Sequence, residues 1–388
     1  MFSRIVIPPS FYILCSWTVT LIIYIAEPII LNPLSVTSIG VIIYVIFIAI
    51  FSSLFFSGHY SKAIKSAIQL PIGANAVMSF VIFTALGAVG LYYFFTFAST
   101  TIGGFGVYIA ILLSNPLEIR GIAVDELGGI VQLTYFSWIS IGLGVSIICS
   151  PRIGLFTKIV IATIVALEFF ANLLFIDRTR PVWLLVIIAI TIAMSKPNPR
   201  KALRKFVIGI PIAILIMFVS FSIATGKLSA GGAQETLSQY LLGGFSYMNF
   251  IFTNITEFDY SPIRTFYPIS KVLESLGVIT QVPSQILEFY DVPFTTNIGT
   301  FIEPLYSDGG VIFLIFGIPF VIITIDWIGI AALNAKSYYG IFIYSNLVLS
   351  NMLSFFVAKF TSTPIYLFIA IFIISEIVKS LRVAKRSH

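Results

Sequence analysis

Ten apolar stretches alternate with short polar connections along the chain, at about 10–26, 36–56, 76–98, 130–150, 158–176, 181–195, 206–225, 309–332, 340–358 and 362–378. Most approach the roughly 20 residues that a membrane-crossing helix needs. The sixth is short and opens on Pro181, whose fixed φ suits the first turn of a helix. The first stretch follows Arg4 and reads as an uncleaved span, because many more spans come after it. Between 226 and 308 the rhythm changes. Leu237, Leu241, Phe245 and Met248 recur at helical spacing there, as do Ile269, Val272, Leu273 and Leu276. Pro262, Pro268, Pro283, Pro293 and Pro304 cut the region into pieces. The pattern predicts two or three short amphipathic helices folded over one membrane surface. It divides the chain into a bundle of about seven spans at 1–225, a large loop at 226–308, and about three spans with a basic tail at 309–388.

Composition sharpens this picture. Of the 388 residues 58% are hydrophobic and 10% charged, and the mean hydropathy is +1.04. A soluble domain carries about 25% charged residues, so a soluble enzyme, a disordered chain and a DNA-binding domain are excluded. The pI near 9.2 therefore implies no nucleic-acid partner; membrane lipids are the surroundings expected. The predicted class is an all-α integral membrane protein with about ten transmembrane helices and one large external loop.

Charge sets the orientation. With the N-terminus in the cytoplasm, fifteen of the 22 Lys and Arg residues fall inside, as the positive-inside rule expects. The seven outside are Arg120, Arg178, Arg180, Lys227, Arg264, Lys271 and Lys359. Thirteen of the 16 acids are also external, and only Glu168, Asp326 and Glu376 lie within or at the ends of spans. Acids contribute little to topology, so their skew locates the polar chemistry on the external face. The cytoplasmic connections are short and basic and carry no phosphate-binding glycine loop. Cys15 and Cys149 sit in apolar runs and offer neither a metal cluster nor a disulfide framework. The two histidines, His59 and His388, fall on the cytoplasmic side.

A few residues stand out as candidates for chemistry. Asp177-Arg178-Thr179-Arg180-Pro181 puts two arginines on the side that the positive-inside rule disfavours. Guanidinium groups grip phosphates bidentately; interfacial anchoring or a pair with Asp177 is the alternative. Arg264 is the one arginine of the large loop, either a second anion contact or a solvated charge. Asn297, Thr300, Glu303, Tyr306 and Asp308 crowd the approach to the eighth span and resemble a sugar-binding surface, although Asp308 could simply cap that helix. Glu168 lies well inside a span, where a carboxylate usually faces a cavity or a partner. Arg178 or Arg180 is the expected partner, with proton coupling as the rival. Arg120 lies in a second polar connection, 99–129, after the Gly103, Gly104 and Gly106 cluster.

Taken together, the many spans, the single large loop near the C-terminal third and three local features resemble the bacterial O-antigen polymerases. Those features are Asp177-Arg178-Thr179-Arg180 opening a span, Tyr240-Leu241-Leu242-Gly243-Gly244 in the loop, and Asn297 through Asp308-Gly309-Gly310 running into a glycine-punctuated span. The resemblance covers about 170–330 and matches the rest of the chain only as hydropathy. It implies a membrane fold similar to the C-type glycosyltransferases, in the bacterial inner membrane with the active site facing the periplasm. The substrate implied is an undecaprenyl-pyrophosphate-linked oligosaccharide, transferred en bloc to the end of another. Arg178, Arg180 and Arg264 would then stabilise the leaving pyrophosphate without a metal or other cofactor. Glu303 or Asp308 would act as base, and Tyr240, Asn297 and Tyr306 would touch glycan. A chain-length regulator protein is an implied partner. An O-antigen ligase shares the architecture, but that family usually carries an external-loop histidine. A flippase or secondary transporter would account for the spans and for Glu168.

Overall fold

The computed structural model describes residues 8–26, 33–67, 74–114, 129–175, 179–206, 209, 232–258, 260–284, 287–292 and 295–386. The described helices are α1 (Ser10–Ala26), α2 (Val36–Ala67), α3 (Ala74–Ile102), α4 (Phe105–Ser114), α5 (Tyr135–Ile148), α6 (Leu155–Leu173) and α7 (Thr179–Met194), then α8 (Gly232–Asn254), α9 (Tyr267–Ser275), α10 (Ile302–Asn334), α11 (Tyr338–Met352) and α12 (Thr363–Arg386). A two-residue antiparallel ladder joins β1 (Tyr290–Asp291) to β2 (Thr295–Thr296), with Tyr290 opposite Thr296.

The chain is an all-α membrane protein. Among the described residues six helices are long and apolar enough to cross a membrane: Val36–Ile64, Ala76–Ile102, Ile130–Ile148, Leu155–Leu173, Ile302–Asn334 and Thr363–Leu381. Ser10–Ala26 and Arg180–Met194 are shorter apolar helices. The stretch predicted at 206–225 lies almost wholly outside the described residues, as does Arg120. The stretch at 340–358 departs from expectation, because its helix ends at Met352 and gives way to turns. From Gly340 to Ser354 every residue is buried, including Ser345, Asn346, Ser350 and Asn351. The helix is shorter than the apolar stretch and carries buried polar side chains.

The chain forms two compact units, and they cut across the three sequence blocks. One comprises Met1–Ala63, Gly231–Ala335 and Asn346–His388; the other comprises Ile64–Ala230 and Lys336–Ser345. In the first unit, Ser35 begins α2 as an N-cap, its Oγ accepting the Ser38 amide at 3.1 Å. Asn249 of α8 completes that cap, its Oδ1 accepting the Ser35 amide and the Ser38 hydroxyl, each at 2.8 Å. Gly244 lets α8 approach the Phe355 carbonyl, where a Cβ would collide. The predicted short amphipathic helices of the loop are therefore corrected in part: the first is a 23-residue helix with its middle, Leu242–Met248, buried.

α10 is two pieces end to end. Gly309 (φ −161°, ψ 21°) and Gly310 (φ 59°, ψ −144°) interrupt it, and the positive φ of Gly310 favours glycine. Before the break come Glu303 in the first turn and the buried Asp308; after it comes the apolar run from Val311. Pro319 has no N–H for the Ile315 carbonyl, and the Tyr44 hydroxyl donates to that carbonyl instead at 2.8 Å.

Further along α10, Asp326 is fully buried. Its Oδ1 accepts the Ser10 amide at 3.0 Å and its Oδ2 the Ser52 hydroxyl at 2.6 Å. The Ser10 amide is one of the N–H groups left over at the start of α1, so a carboxylate 316 residues away caps that helix. The Tyr60 hydroxyl donates to the Asp326 carbonyl at 2.8 Å, in space that Gly329 leaves open. Hydrogen bonds to a charged group contribute about 1.5–3 kcal/mol each. Asp326→Ala should therefore destabilise the protein by about 3–6 kcal/mol and Asp326→Asn by about half, read as thermal unfolding midpoints in detergent. Equal midpoints for all three proteins would refute the capping role.

In the second unit α3 and α5 meet at glycines. Gly87 faces the Ser137 backbone and Gly90 the Thr134 backbone, at distances that exclude a Cβ, and Gly144 of α5 faces Val165 of α6 in the same way. Leu91, Phe94, Ala98, Tyr108 and Phe175 form a core cluster, with Phe94 stacked on Phe175 at 3.7 Å.

Candidate functional site

Arg264, Glu303 and Asp308 come together within the first unit. The turn at 260–266 is held from outside itself: the Arg264 amide donates to Asp308 Oδ1 at 3.0 Å and the Thr265 amide to Oδ2 at 2.7 Å. Tyr260, at the start of this turn, adopts a left-handed φ of 51°, a strained conformation for a bulky residue. Asp308 directly precedes the apolar piece of α10, as expected, but its carboxylate oxygens accept the Arg264 and Thr265 amides rather than the first N–H groups of that piece. Its role is to position Arg264 and Thr265.

The Arg264 guanidinium so positioned has its Nη1 3.6 Å from Glu303 Oε1. The Arg264 side chain is 34% exposed and that of Glu303 10%. Ser307, one turn along α10, donates its hydroxyl to the same Oε1 at 2.9 Å. Among the described residues Glu303 Oε2 accepts no hydrogen bond. Gly299 lies between Leu287 and the Glu303 stem, and a Cβ there would collide with the Leu287 side chain first.

Aromatic rings flank the pair. Tyr290 packs on Phe250 at 4.5 Å and on Tyr247 at 5.8 Å, and its hydroxyl donates to Glu288 Oε2 at 2.6 Å. That hydrogen bond is the main reason the Tyr290 phenol titrates above its ordinary range. Burial first, then the charge on Glu303, pushes the Tyr247 phenol up. The cluster is therefore a partly exposed cation paired with a largely buried carboxylate, near the partly exposed rings of Phe250 and Tyr290 and the buried ring of Tyr247. Among the described residues no three His, Cys, Asp or Glu side chains come together as a metal site.

Other predicted site residues have different surroundings. The Tyr306 ring lies between Phe252 (4.5 Å) and Phe258 (5.1 Å), and its hydroxyl donates to the Ile255 carbonyl at 3.1 Å. These contacts hold the segment after α8. Tyr240 packs on Phe356 at 5.8 Å, about two helical turns from Tyr247. Asn297 is half-buried in the link between β2 and α10. Lys271 pairs with Glu274 on α9 at 2.7 Å; this partner and the Val282 amide lower the Glu274 titration.

Arg180 belongs to the second unit and Arg264 to the first, and Arg178 lies outside the described residues. The Arg180 guanidinium lies over the Phe175 ring at 4.0 Å, and Nη1 donates to Thr134 Oγ1 at 3.3 Å and Asn172 Oδ1 at 3.5 Å. At 8% exposure this geometry fits a clasp among α5, α6 and α7. The expected pairing of Arg180 with Glu168 is not found, because neither carboxylate oxygen of Glu168 has a hydrogen-bond partner. Asn172, one turn beyond Glu168, takes the guanidinium instead.

Sequence reasoning missed Tyr247, Phe250, Glu288 and Tyr290. The only signal for them was the aromatic density of the loop, which did not distinguish packing rings from site rings. No family model, no curated protein and no solved structure matches the chain.

Proposed function

We propose that the protein is an O-antigen polymerase, a glycosyltransferase that joins lipid-pyrophosphate-linked oligosaccharide units en bloc at the periplasmic face of the bacterial inner membrane. In this reading the chain has about ten spans with both termini cytoplasmic, and 226–308 is the periplasmic loop. The observation that carries it is the pair of the partly exposed Arg264 with the largely buried Glu303, beside the Gly309–Gly310 break, with Arg264 held by Asp308 and with Tyr247, Phe250 and Tyr290 nearby. That combination supplies what the transfer needs: a cation for the leaving group, a carboxylate for the proton, and rings for a sugar.

In the reaction an acceptor hydroxyl attacks the anomeric carbon of the donor glycan. The new C–O bond forms as the bond from that carbon to the pyrophosphate breaks, and the lipid pyrophosphate leaves with the electron pair. Arg264 stabilises the charge developing on it, and Glu303 takes the hydroxyl proton. The pyrophosphate linkage already stores the required energy, so no nucleotide sugar enters. Among the described residues Arg264 carries the anion role here, because the surroundings of Arg180 fit a structural one; Arg178 lies outside the described residues.

Purified protein should extend lipid-linked repeat units into a ladder on gel electrophoresis without added nucleotide sugar. Fusion of a reporter at Ala233 should report a periplasmic location. Absence of polymer from active lipid-linked substrate, with translocation of that lipid across vesicles instead, would replace this reading with transport.

A further inference from the structure

Glu168 is used by nothing described so far. It is 6% exposed on α6, and both carboxylate oxygens are buried without a hydrogen-bond partner. Thr84 of α3 and Ser140 of α5 adjoin the carboxylate, and their hydroxyls share a 2.6 Å hydrogen bond with each other. The tight glycine contacts of α3 with α5 at Gly87 and with the turn before α5 at Gly90, and of α5 with α6 at Gly144, bring these three polar groups together.

Among the described residues no positive charge is paired with Glu168. α3, α4 and α5 contain no Asp, Glu, Lys, Arg or His. On α6 itself Lys158 is ten residues away, about 15 Å along the helix. On α7 there is Arg180, whose Nη1 is directed to Thr134 and Asn172, and Lys336 begins the 336–345 segment. An isolated carboxylate away from water is costly unless a positive charge joins it.

We propose that Glu168, Thr84 and Ser140 form a binding site for a monovalent cation inside the second unit, one positive charge taken from solution as a proton or as sodium. The two sources use the hydroxyls differently. A proton resides on the carboxyl and is donated to the hydroxyl pair, which keeps its own hydrogen bond. Sodium needs lone pairs from both carboxylate oxygens and both hydroxyls, so the Thr84–Ser140 bond opens and the hydroxyl protons turn away. The site is independent of the glycan reading, since it lies in a different unit from Arg264.

The test is thermal unfolding of the purified full-length protein in detergent. Sodium chloride is compared with choline chloride at constant ionic strength, at pH 5, 7 and 9. The wild-type midpoint should rise by about 3 °C or more with sodium or with acid. Glu168→Gln has the same shape without the charge; it should be as stable as the cation-bound protein and respond to neither. Thr84→Val with Ser140→Ala should abolish a sodium response but leave an acid response in place, which separates the two sources. The proposal is overturned if wild type and Glu168→Gln respond alike. It is also overturned if Glu168→Gln is less stable under every condition, as removal of one member of an ion pair would make it.

Discussion

Arg264→Ala is expected to slow chain elongation by about 10²–10³-fold, the usual loss when one preorganised stabiliser of developing negative charge is removed. The fold should survive, because Asp308 holds residue 264 through its backbone amide, which alanine retains. Arg264→Lys should recover only part of the rate, since an ammonium restores charge but not the planar fork. The measurement is polymer formed per minute on lipid-linked units, with the unfolding midpoint as a control. A folded Arg264→Ala protein that keeps more than about a tenth of the rate would remove Arg264 from the mechanism.

Glu303→Gln should have a comparable effect with a different signature. Loss of a general base costs about 10²–10⁴ in rate. Gln can still accept the Ser307 hydroxyl, so the side chain stays in place. In the wild type the rate should rise with pH as the base loses its proton, and in Glu303→Gln that acid limb should flatten. Asp308 is a poor target for the same comparison. Each of its oxygens accepts an N–H, so Asn would turn an NH₂ group toward a backbone donor and disturb the Arg264 turn whether or not Asp308 reacts. Residual activity in Glu303→Gln with an unchanged pH profile would exclude Glu303 as the base.

Hydropathy was enough to find six long apolar helices, because lipid-facing side chains such as Phe47, Phe316 and Trp327 are apolar without any tertiary partner. It overran α11, which ends at Met352; its apolar residues face protein and its Ser and Asn residues are tolerated for that reason. The Asp308-Gly309-Gly310 segment was legible as special, since adjacent glycines before an apolar run have few purposes. Its use was not: the Asp308 partners lie 43 and 44 residues away, and no local pattern announces a backbone amide that distant. The same holds for Tyr247 and Tyr290, which meet through a two-residue ladder too short to leave an alternation. Glu168 was visible as an anomaly, but its neighbours come from helices 84 and 28 residues upstream.

The contacts of α1 have a consequence for biosynthesis. Its first amide is capped by Asp326, 316 residues later, and Trp17 donates its indole N–H to Ser354, 337 residues later, at 2.9 Å. A ribosome adding about 5–20 residues per second takes roughly 15–60 s to cover the first of those separations. For that interval the opening helix lacks its closing partners and is open to quality-control proteases and to neighbours. Assembly of the first unit is therefore a late event, and chains truncated before residue 326 should be degraded rather than accumulate as partial bundles.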